Sequence, residues 1–176
     1  VDFVAVSFVR NASDISTVRD LVPNDIKIIA KIELKAALDN IAEILDVADG
    51  VMVARGDLGV QLPLEQVPFV QKQILDAANK KGKISITATE MLQSMKSSYR
   101  PTRAEVTDIT NAILEGSDAV MLSAETSIGD NPNRVVEVMS LICKETDSKN
   151  DTSSLLSKEN TSEDSTATLA RAAVQV

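Results

Sequence analysis

The sequence predicts an α/β fold built on a parallel β-sheet, and three observations support this prediction. Short apolar runs rich in β-branched residues alternate with stretches of helical periodicity over roughly the first 145 residues. The apolar runs contain almost no charged residues, as expected of strands that are covered on both faces. Their starts lie 23 to 35 residues apart, the length of one strand–helix unit. Strict alternation implies parallel strands joined by right-handed helical crossovers.

Five strands and five helices follow in order along the chain. The strands are predicted at residues 3–8, 26–32, 50–54, 84–88 and 119–122. The helices are predicted at residues 13–22, 34–45, 64–80, 102–115 and 132–145. The first helix opens with a Ser or Asp cap, and the fourth opens with a capping box from Thr102 to Glu105 and ends before Gly116. The fifth begins at a proline, a favoured first helical residue.

Two architectures fit this order of elements. One is an open, doubly wound sheet, and the other is part of an eight-stranded (β/α) barrel. No glycine-rich phosphate motif follows the first strand, which argues against the dinucleotide-binding version of the open sheet. Five units cannot close a barrel of eight strands, so the barrel requires further strands.

The domain boundaries are predicted from a change in composition. Residues 1–146 carry the strand–helix units. Residues 147–165 are rich in Ser, Thr, Asp, Glu, Asn and Lys, which predicts a polar linker. Residues 166–176 have the pattern of a helix that starts a further domain. The chain begins without Met inside a predicted strand, and we expect it to be a piece of a larger protein.

Composition excludes several classes of function. The net charge of −8 and the 2% content of aromatic residues argue against a nucleic-acid partner. No apolar run is long enough to span a membrane. The chain has no His, which rules out Ser–His–Asp catalysis and imidazole metal sites from its own residues. The single cysteine, Cys143, lies in an apolar helical stretch and is interpreted as a buried, inert thiol.

Polar side chains follow four successive strands where each strand ends. Lys31 and Glu33 come at the end of the second strand, and Arg55 and Asp57 follow the third together with Gly56 and Gly59. Thr87, Thr89 and Glu90 lie around the end of the fourth, and Ser123, Glu125 and Thr126 follow the fifth. The carboxyl ends of parallel strands form the ligand-binding edge in both architectures. We therefore expect the functional site at this edge.

Carboxylates at this edge are candidates for a metal site. Lys31 and Glu33 are two residues apart and would point to the same side of an extended strand. Glu33 and Asp57 would give a divalent cation two oxygen ligands, as Mg²⁺ prefers, and Lys31 would add a fixed positive charge for an anion. Taken singly, a Lys-x-Glu pair or an Arg-Gly-Asp tripeptide is better explained by an ordinary surface role. Their placement on one edge favours a site.

Four blocks of sequence resemble the pyruvate kinase family, in its order and spacing. They are KIIAKIE at 27–33, DGVMVARGDLGVQLPLEQVPFVQK at 49–72, ISITATEMLQSM at 84–95 and RPTRAEVTDITNAILEGSDAVMLSAETSIGDNP at 100–132. The resemblance implies five consecutive βα units of an incomplete (β/α)8 TIM-type barrel. It also implies transfer of a phosphoryl group from phosphoenolpyruvate to ADP, giving pyruvate and ATP.

The resemblance further implies the roles of individual residues. Glu33 and Asp57 would bind Mg²⁺ or Mn²⁺, and Lys31 would be catalytic by stabilising the phosphoryl group in transfer. Gly56, Asp57 and Thr89 would bind the substrate, together with Lys31. Thr89, Ser123 and Glu125 would form a catalytic group linked to proton delivery onto the enolate.

The family also implies cofactors, partners and location. A K⁺ ion is expected, with its site outside this chain, and the nucleotide-binding residues lie upstream. The family forms homo-oligomers, commonly tetramers, and residues 100–105 lie near a subunit contact, so Arg100 and Arg103 are candidates for assembly. The location implied is the cytoplasm, with a plastid left open. Because so much of the enzyme is missing, we expect the chain alone to be inactive.

Three residues depart from the common pattern of the family. Glu90 stands where the family commonly has Gln, Ala124 where it has Gly, and Thr87 where it often has Cys.

One alternative function is that of a Mg²⁺-dependent barrel aldolase or lyase, which acts on pyruvate or an enolate and needs no nucleotide site. The other is a non-catalytic remnant that serves only in assembly.

Overall fold

The computed structural model describes residues 1–150, and its five strands form one parallel sheet in the order β1-β2-β3-β4-β5. The strands are β1 (Phe3–Val6), β2 (Lys27–Ile32), β3 (Gly50–Ala54), β4 (Ile84–Ala88) and β5 (Ala119–Met121). Each strand pairs with the next one along the chain. A doubly wound sheet would reverse its strand order at a switch point, so this order identifies part of a (β/α) barrel. Within residues 1–150 the sheet does not close.

Helices and short helical turns connect the strands. The α-helices are α1 (Ala12–Arg19), α2 (Lys35–Asp39), α3 (Ile41–Val47), α4 (Arg55–Gln61), α5 (Val67–Lys80), α6 (Arg103–Leu114), α7 (Ala124–Ser127) and α8 (Pro132–Lys149). Turns of 3₁₀-helix occupy Leu64–Gln66 and Gln93–Lys96. None of these helices is long and apolar enough to cross a membrane.

The main core lies between the sheet and the helices. Alternate strand residues such as Ile32 and Val53 point toward the helices, where they pack with Ile44, Leu45 and Leu75 in one fully buried cluster. Full burial of a side chain of this size contributes about 1.5–3 kcal/mol. A second core packs α6 against α8 and the turn at Gln93–Lys96.

On the opposite face of the sheet, the buried cluster formed by residues 1–150 consists of strand residues. This small cluster contains Ile29, Met52 and Ala88, with Ile86 and Met121 packed against it. Because side chains alternate along a strand, Lys31 shares this face with Ile29. This face, on which no helix of the described part of the chain contributes to the buried cluster, corresponds to the interior of a barrel, and its carboxyl end carries the candidate site.

The predicted elements are confirmed, with local corrections at their ends. The first strand stops at Val6 rather than residue 8, because Phe8 turns into the left-handed region with φ of 56°. Helix α1 is capped by Asn11, whose side chain accepts the backbone N–H groups of Ser13 and Asp14, and not by Ser13 or Asp14 as predicted. The capping box of Thr102 and Glu105 is confirmed.

Two helical regions differ more from their predictions. The helix predicted at 34–45 is two helices, because Asn40 leaves helical geometry and its side-chain amide donates to the Arg10 carbonyl at 2.9 Å. The residues directly after β3 were given no element in the sequence analysis, and they form the short helix α4. Helix α8 runs to Lys149, into the first residues of the predicted linker. The rest of that linker and the predicted helix at 166–176 lie outside the described residues.

Candidate active site

Lys31 and Glu33 form an ion pair at the carboxyl end of β2. The Lys31 Nζ lies 2.6 Å from Glu33 Oε1, and it also donates to Ser7 Oγ at 2.9 Å. Glu33 Oε2 accepts the Phe8 backbone N–H at 2.6 Å. The Glu33 side chain is only 2% exposed, whereas that of Lys31 is 26% exposed. The carboxylate is therefore fixed by partners, and the ammonium group remains accessible from one side.

The turn after β1 supplies partners to both side chains of this pair. Phe8 adopts a left-handed conformation, which is uncommon for a residue with a bulky side chain. This conformation accompanies the Phe8 N–H bond to Glu33, while Ser7 meets Lys31. Sequence reasoning missed Ser7 and Phe8, since neither carries charge and both were assigned to the strand.

Gly56 and Asp57 lie in the first turn of α4, directly after β3. The Gly56 N–H donates to Thr89 Oγ1 at 2.9 Å. Asp57 is the next residue, and it is exposed. Gly56, after the third strand, therefore contacts Thr89, at the end of the fourth.

Thr89 sits in a rare backbone conformation at the end of β4. Its φ is 68°, and that of Glu90 is 57°. The Thr89 hydroxyl donates to the Ala88 carbonyl at 2.7 Å and accepts from Gly56. Two successive non-glycine residues with positive φ mark a strained segment of the kind that concentrates at functional sites.

Arg55 links this strained segment to α6. Its Nη1 donates to both carboxylate oxygens of Asp108 at 2.7 Å, and its Nη2 donates to the Thr89 carbonyl at 2.6 Å. The side chain is 10% exposed. Sequence reasoning singled out Arg55 but not its partner, because the two residues are 53 positions apart and no local pattern joins them.

Glu125 is fully buried and bonded to backbone amides. Its Oε1 accepts the Leu92 N–H at 3.2 Å, and its Oε2 accepts the Ser123 N–H at 3.0 Å. Ser123 precedes α7 and is partly buried. These contacts give Glu125 an anchoring role, and its predicted part in proton delivery, like that of Ser123, stays a prediction.

Two titratable groups near α6 and α8 have displaced pKa values. Burial raises the pKa of Glu105, but hydrogen bonds from Ser94 and Thr102 outweigh it, so the carboxyl pKa lies below its ordinary value. Burial and the nearby Asp147 charge raise the pKa of the Cys143 thiol. Cys143 is partly buried rather than fully buried as predicted, and its raised thiol pKa agrees with the interpretation of an inert thiol.

A groove of about 770 Å³ lies between α5 and α6, away from the Lys31–Glu33 pair. Leu64, Pro68, Arg103 and Asp108 are among the residues that line it. The exposed Arg103 belongs to the segment predicted to contact another subunit. Arg55 and Glu90 also line the groove, so it reaches the segment at the end of β4.

Comparison with known proteins identifies the family. The family model described as "Pyruvate kinase, barrel domain" matches residues 1–136. A pyruvate kinase from Dictyostelium discoideum is 52% identical over 148 residues, which cover 82% of this chain and 29% of that protein. One from Clostridium perfringens is 51% identical over 160 residues, which cover 89% of this chain and 34% of that protein.

A solved structure agrees with these sequence matches. The crystal structure of a pyruvate kinase from Cryptosporidium parvum has a TM-score of 0.86 and 44% identity, over 89% of this chain and 34% of that one. The chain spans about a third of the length of the relatives it matches. The chain belongs to the pyruvate kinase family, and its strands and helices form part of the barrel domain of that family.

Proposed function

We propose that this chain supplies part of the active site of a pyruvate kinase, which transfers the phosphoryl group of phosphoenolpyruvate to ADP. The observation that carries the proposal is the Lys31 ammonium, 2.6 Å from the buried Glu33 carboxylate at the carboxyl end of β2. Phosphoryl transfer depends on positioning and charge neutralisation, so it needs no His. The chain has none.

The chemistry of the donors fits a hard divalent cation. Glu33 and Asp57 would hold Mg²⁺ or Mn²⁺, with water and substrate oxygens completing the coordination. Among residues 1–150 no group of three or more His, Cys, Asp or Glu side chains could hold a metal by itself. The bound metal would supply further neutralisation of negative charge.

Each of the candidate site residues then has a defined role in the reaction. Lys31 would neutralise charge on the phosphoryl group as its bond to the enol oxygen breaks and a bond to an ADP oxygen forms. Gly56, Asp57 and Thr89 would orient the substrate carboxylate. The enolate that remains takes a proton at carbon, and Thr89, Ser123 and Glu125 are the predicted group for its delivery.

A direct test uses the complete reading frame that contains this chain. We expect Glu33→Gln and Asp57→Asn each to raise the Mg²⁺ concentration needed for pyruvate formation at least about tenfold, since a charge-assisted contact is worth about 1.5–3 kcal/mol. Glu65→Gln, at an exposed residue of the turn at Leu64–Gln66, is the matched control. The proposal fails if the complete protein forms no pyruvate from phosphoenolpyruvate and ADP, or if Glu33→Gln has the metal dependence of the control.

The alternatives are disfavoured by separate observations. The relatives compared above are named pyruvate kinase, which favours phosphoryl transfer over an aldolase or lyase reaction. Lys31, Glu33 and Asp57 are all present, whereas a remnant serving only assembly would have no reason to keep them. Because the chain spans about a third of its relatives, we expect the chain assayed alone to form no pyruvate.

The proposal extends to K⁺, location and assembly. K⁺ would bind outside this chain, and the cytoplasm is the proposed location. Arg100 and Arg103 are both exposed, and we propose that they contact a second subunit in a homo-oligomer. Reversing both charges in the complete protein should reduce its size in sedimentation, and an unchanged oligomer would contradict the assembly role.

A further inference from the structure

Thr89 requires outside support to keep its conformation. A β-branched residue with φ of 68° is rare, and such a conformation persists only where the surroundings fix it. The next residue, Glu90, also has a positive φ and is exposed, so it offers little packing of its own. In this conformation the Thr89 hydroxyl accepts a hydrogen bond from the Gly56 N–H at 2.9 Å.

Arg55 donates to the carbonyl groups of the two peptide units that flank the Thr89 Cα. Its Nη2 donates to the Thr89 carbonyl at 2.6 Å, and its Nε donates to the Ala88 carbonyl at 3.4 Å. The other guanidinium nitrogen is anchored by the Asp108 carboxylate and by Gln71 Oε1. The planar group thus has one edge on the strained turn and the other on α5 and α6.

We propose that Arg55 is a positioning residue that holds Thr89 in the left-handed conformation and so sets the Gly56–Thr89 cradle for the substrate carboxylate. This inference rests on the proposed function, in which Gly56 and Thr89 bind phosphoenolpyruvate. Arg55 acts through Thr89 rather than by contact with the substrate, because its nitrogens are directed to Asp108, Gln71 and backbone carbonyls.

Lysine cannot reproduce this arrangement. A guanidinium presents several donors in a rigid fork, whereas an ammonium group is a single charged centre on a flexible chain. Arg55→Lys keeps the charge near Asp108 but cannot donate to that carboxylate and to both carbonyls at once. The substitution therefore isolates the geometric role of Arg55 from its charge.

Arg19 offers a matched control elsewhere in the fold. Its Nη1 donates to the Ile26 carbonyl at 2.7 Å and its Nη2 to Asp49 at 2.6 Å, so it also joins a carbonyl to a carboxylate. These partners lie at the start of β2 and just before β3, the opposite edge of the sheet from Thr89. Arg19→Lys should lower stability in a similar way without touching the cradle.

The first measurement is steady-state kinetics of the complete enzyme. We expect Arg55→Lys to raise KM for phosphoenolpyruvate about tenfold or more while kcat falls less, because small displacements of binding groups have large effects. KM for ADP should stay within about twofold, since the nucleotide-binding residues implied by the family lie outside this chain. In Arg19→Lys, KM for each of the two substrates should stay within about twofold, because the contacts of Arg19 lie at the opposite edge of the sheet from the cradle. In a Thr89→Ala background, Arg55→Lys should add little. Equal effects on both substrates, or full additivity with Thr89→Ala, would overturn the inference.

The second measurement does not depend on activity. Hydrogen exchange of the Gly56 amide, which donates to Thr89, should quicken in Arg55→Lys and not in Arg19→Lys. If the parent enzyme makes no pyruvate, the proposed function fails while this readout still decides whether Arg55 holds Thr89. Unchanged exchange at Gly56 would refute the positioning role. Should Arg55→Lys not fold, Asp108→Asn loosens the anchor and should shift exchange and KM in the same direction by less.

Discussion

Replacing Glu125 by alanine would leave two backbone N–H groups in the protein interior without an acceptor. Glu125 is fully buried, and its two oxygens accept the N–H groups of Leu92 and Ser123. Hydrogen bonds to a charged group contribute about 1.5–3 kcal/mol each. The loss of both is therefore worth about 3–6 kcal/mol of local stability, of the order of a domain's whole stability.

Hydrogen exchange followed by mass spectrometry measures this loss directly. Each 1.4 kcal/mol corresponds to a factor of ten, so peptides containing Leu92 and Ser123 should exchange about 100-fold faster or more in Glu125→Ala. Glu125→Gln is the matched control, because its amide oxygen can accept one N–H while its NH₂ group faces the other. We expect roughly half the effect on the free energy of opening.

Activity measured on the same variants separates the anchoring role from proton delivery. If Glu125 anchors the backbone, pyruvate formation should fall in step with the loss of protection at Leu92 and Ser123. Protection equal to that of the parent, together with abolished pyruvate formation, would refute the anchoring argument. That result would support the prediction that Glu125 takes part in proton delivery.

Three further predictions concern stability and reactivity. Gly50→Ala places a Cβ 2.6 Å from the Ile84 carbonyl oxygen, and it should cost about 1–3 kcal/mol and lower Tm in thermal unfolding; an unchanged Tm would contradict this packing. Burial raises the pKa of Glu105, but hydrogen bonds led by those from Ser94 outweigh it, so its pKa is lower in the folded state than the ordinary 4.5. The ionised carboxylate therefore stabilises the fold above pH 4.5, and this stabilisation is lost as the pH falls through the folded-state pKa. Glu105→Gln should flatten stability across that acid range, and an unaltered pH profile would count against it. Cys143, with its raised pKa, should react with maleimide at pH 7 more slowly than a free cysteine, and equal rates would show an accessible thiolate.

The order of elements could be predicted because periodicity and turn chemistry are local properties. The five strands, the capping box at Thr102 and the helix end before Gly116 were all predicted from runs of neighbouring residues. The break at Asn40 could not be predicted, since it depends on a hydrogen bond to Arg10, 30 positions away. Tertiary contacts thus decided where a favourable helical pattern was interrupted.

The candidate site shows the same division between local and distant information. The carboxyl ends of the strands were predicted to carry Lys31, Glu33 and Asp57, and the structure places them there. The turn of Phe8 and the conformation of Thr89 could not be predicted, because positive φ in such residues depends on what surrounds them. The residue types at a site follow from the sequence, whereas the supports of those residues depend on contacts across the fold.

The incomplete sheet has a consequence for handling the protein. Within residues 1–150, β1 and β5 each have a neighbour on one side only, so backbone donors and acceptors line both outer margins. Such margins readily recruit strands from other molecules, and β1 adds a half-exposed Phe3. A split enzyme, in which the missing strands arrive on a separate polypeptide, would use the same margins for productive assembly. Residues 1–150 expressed alone should aggregate, and co-expression with the complementary strands should rescue their solubility.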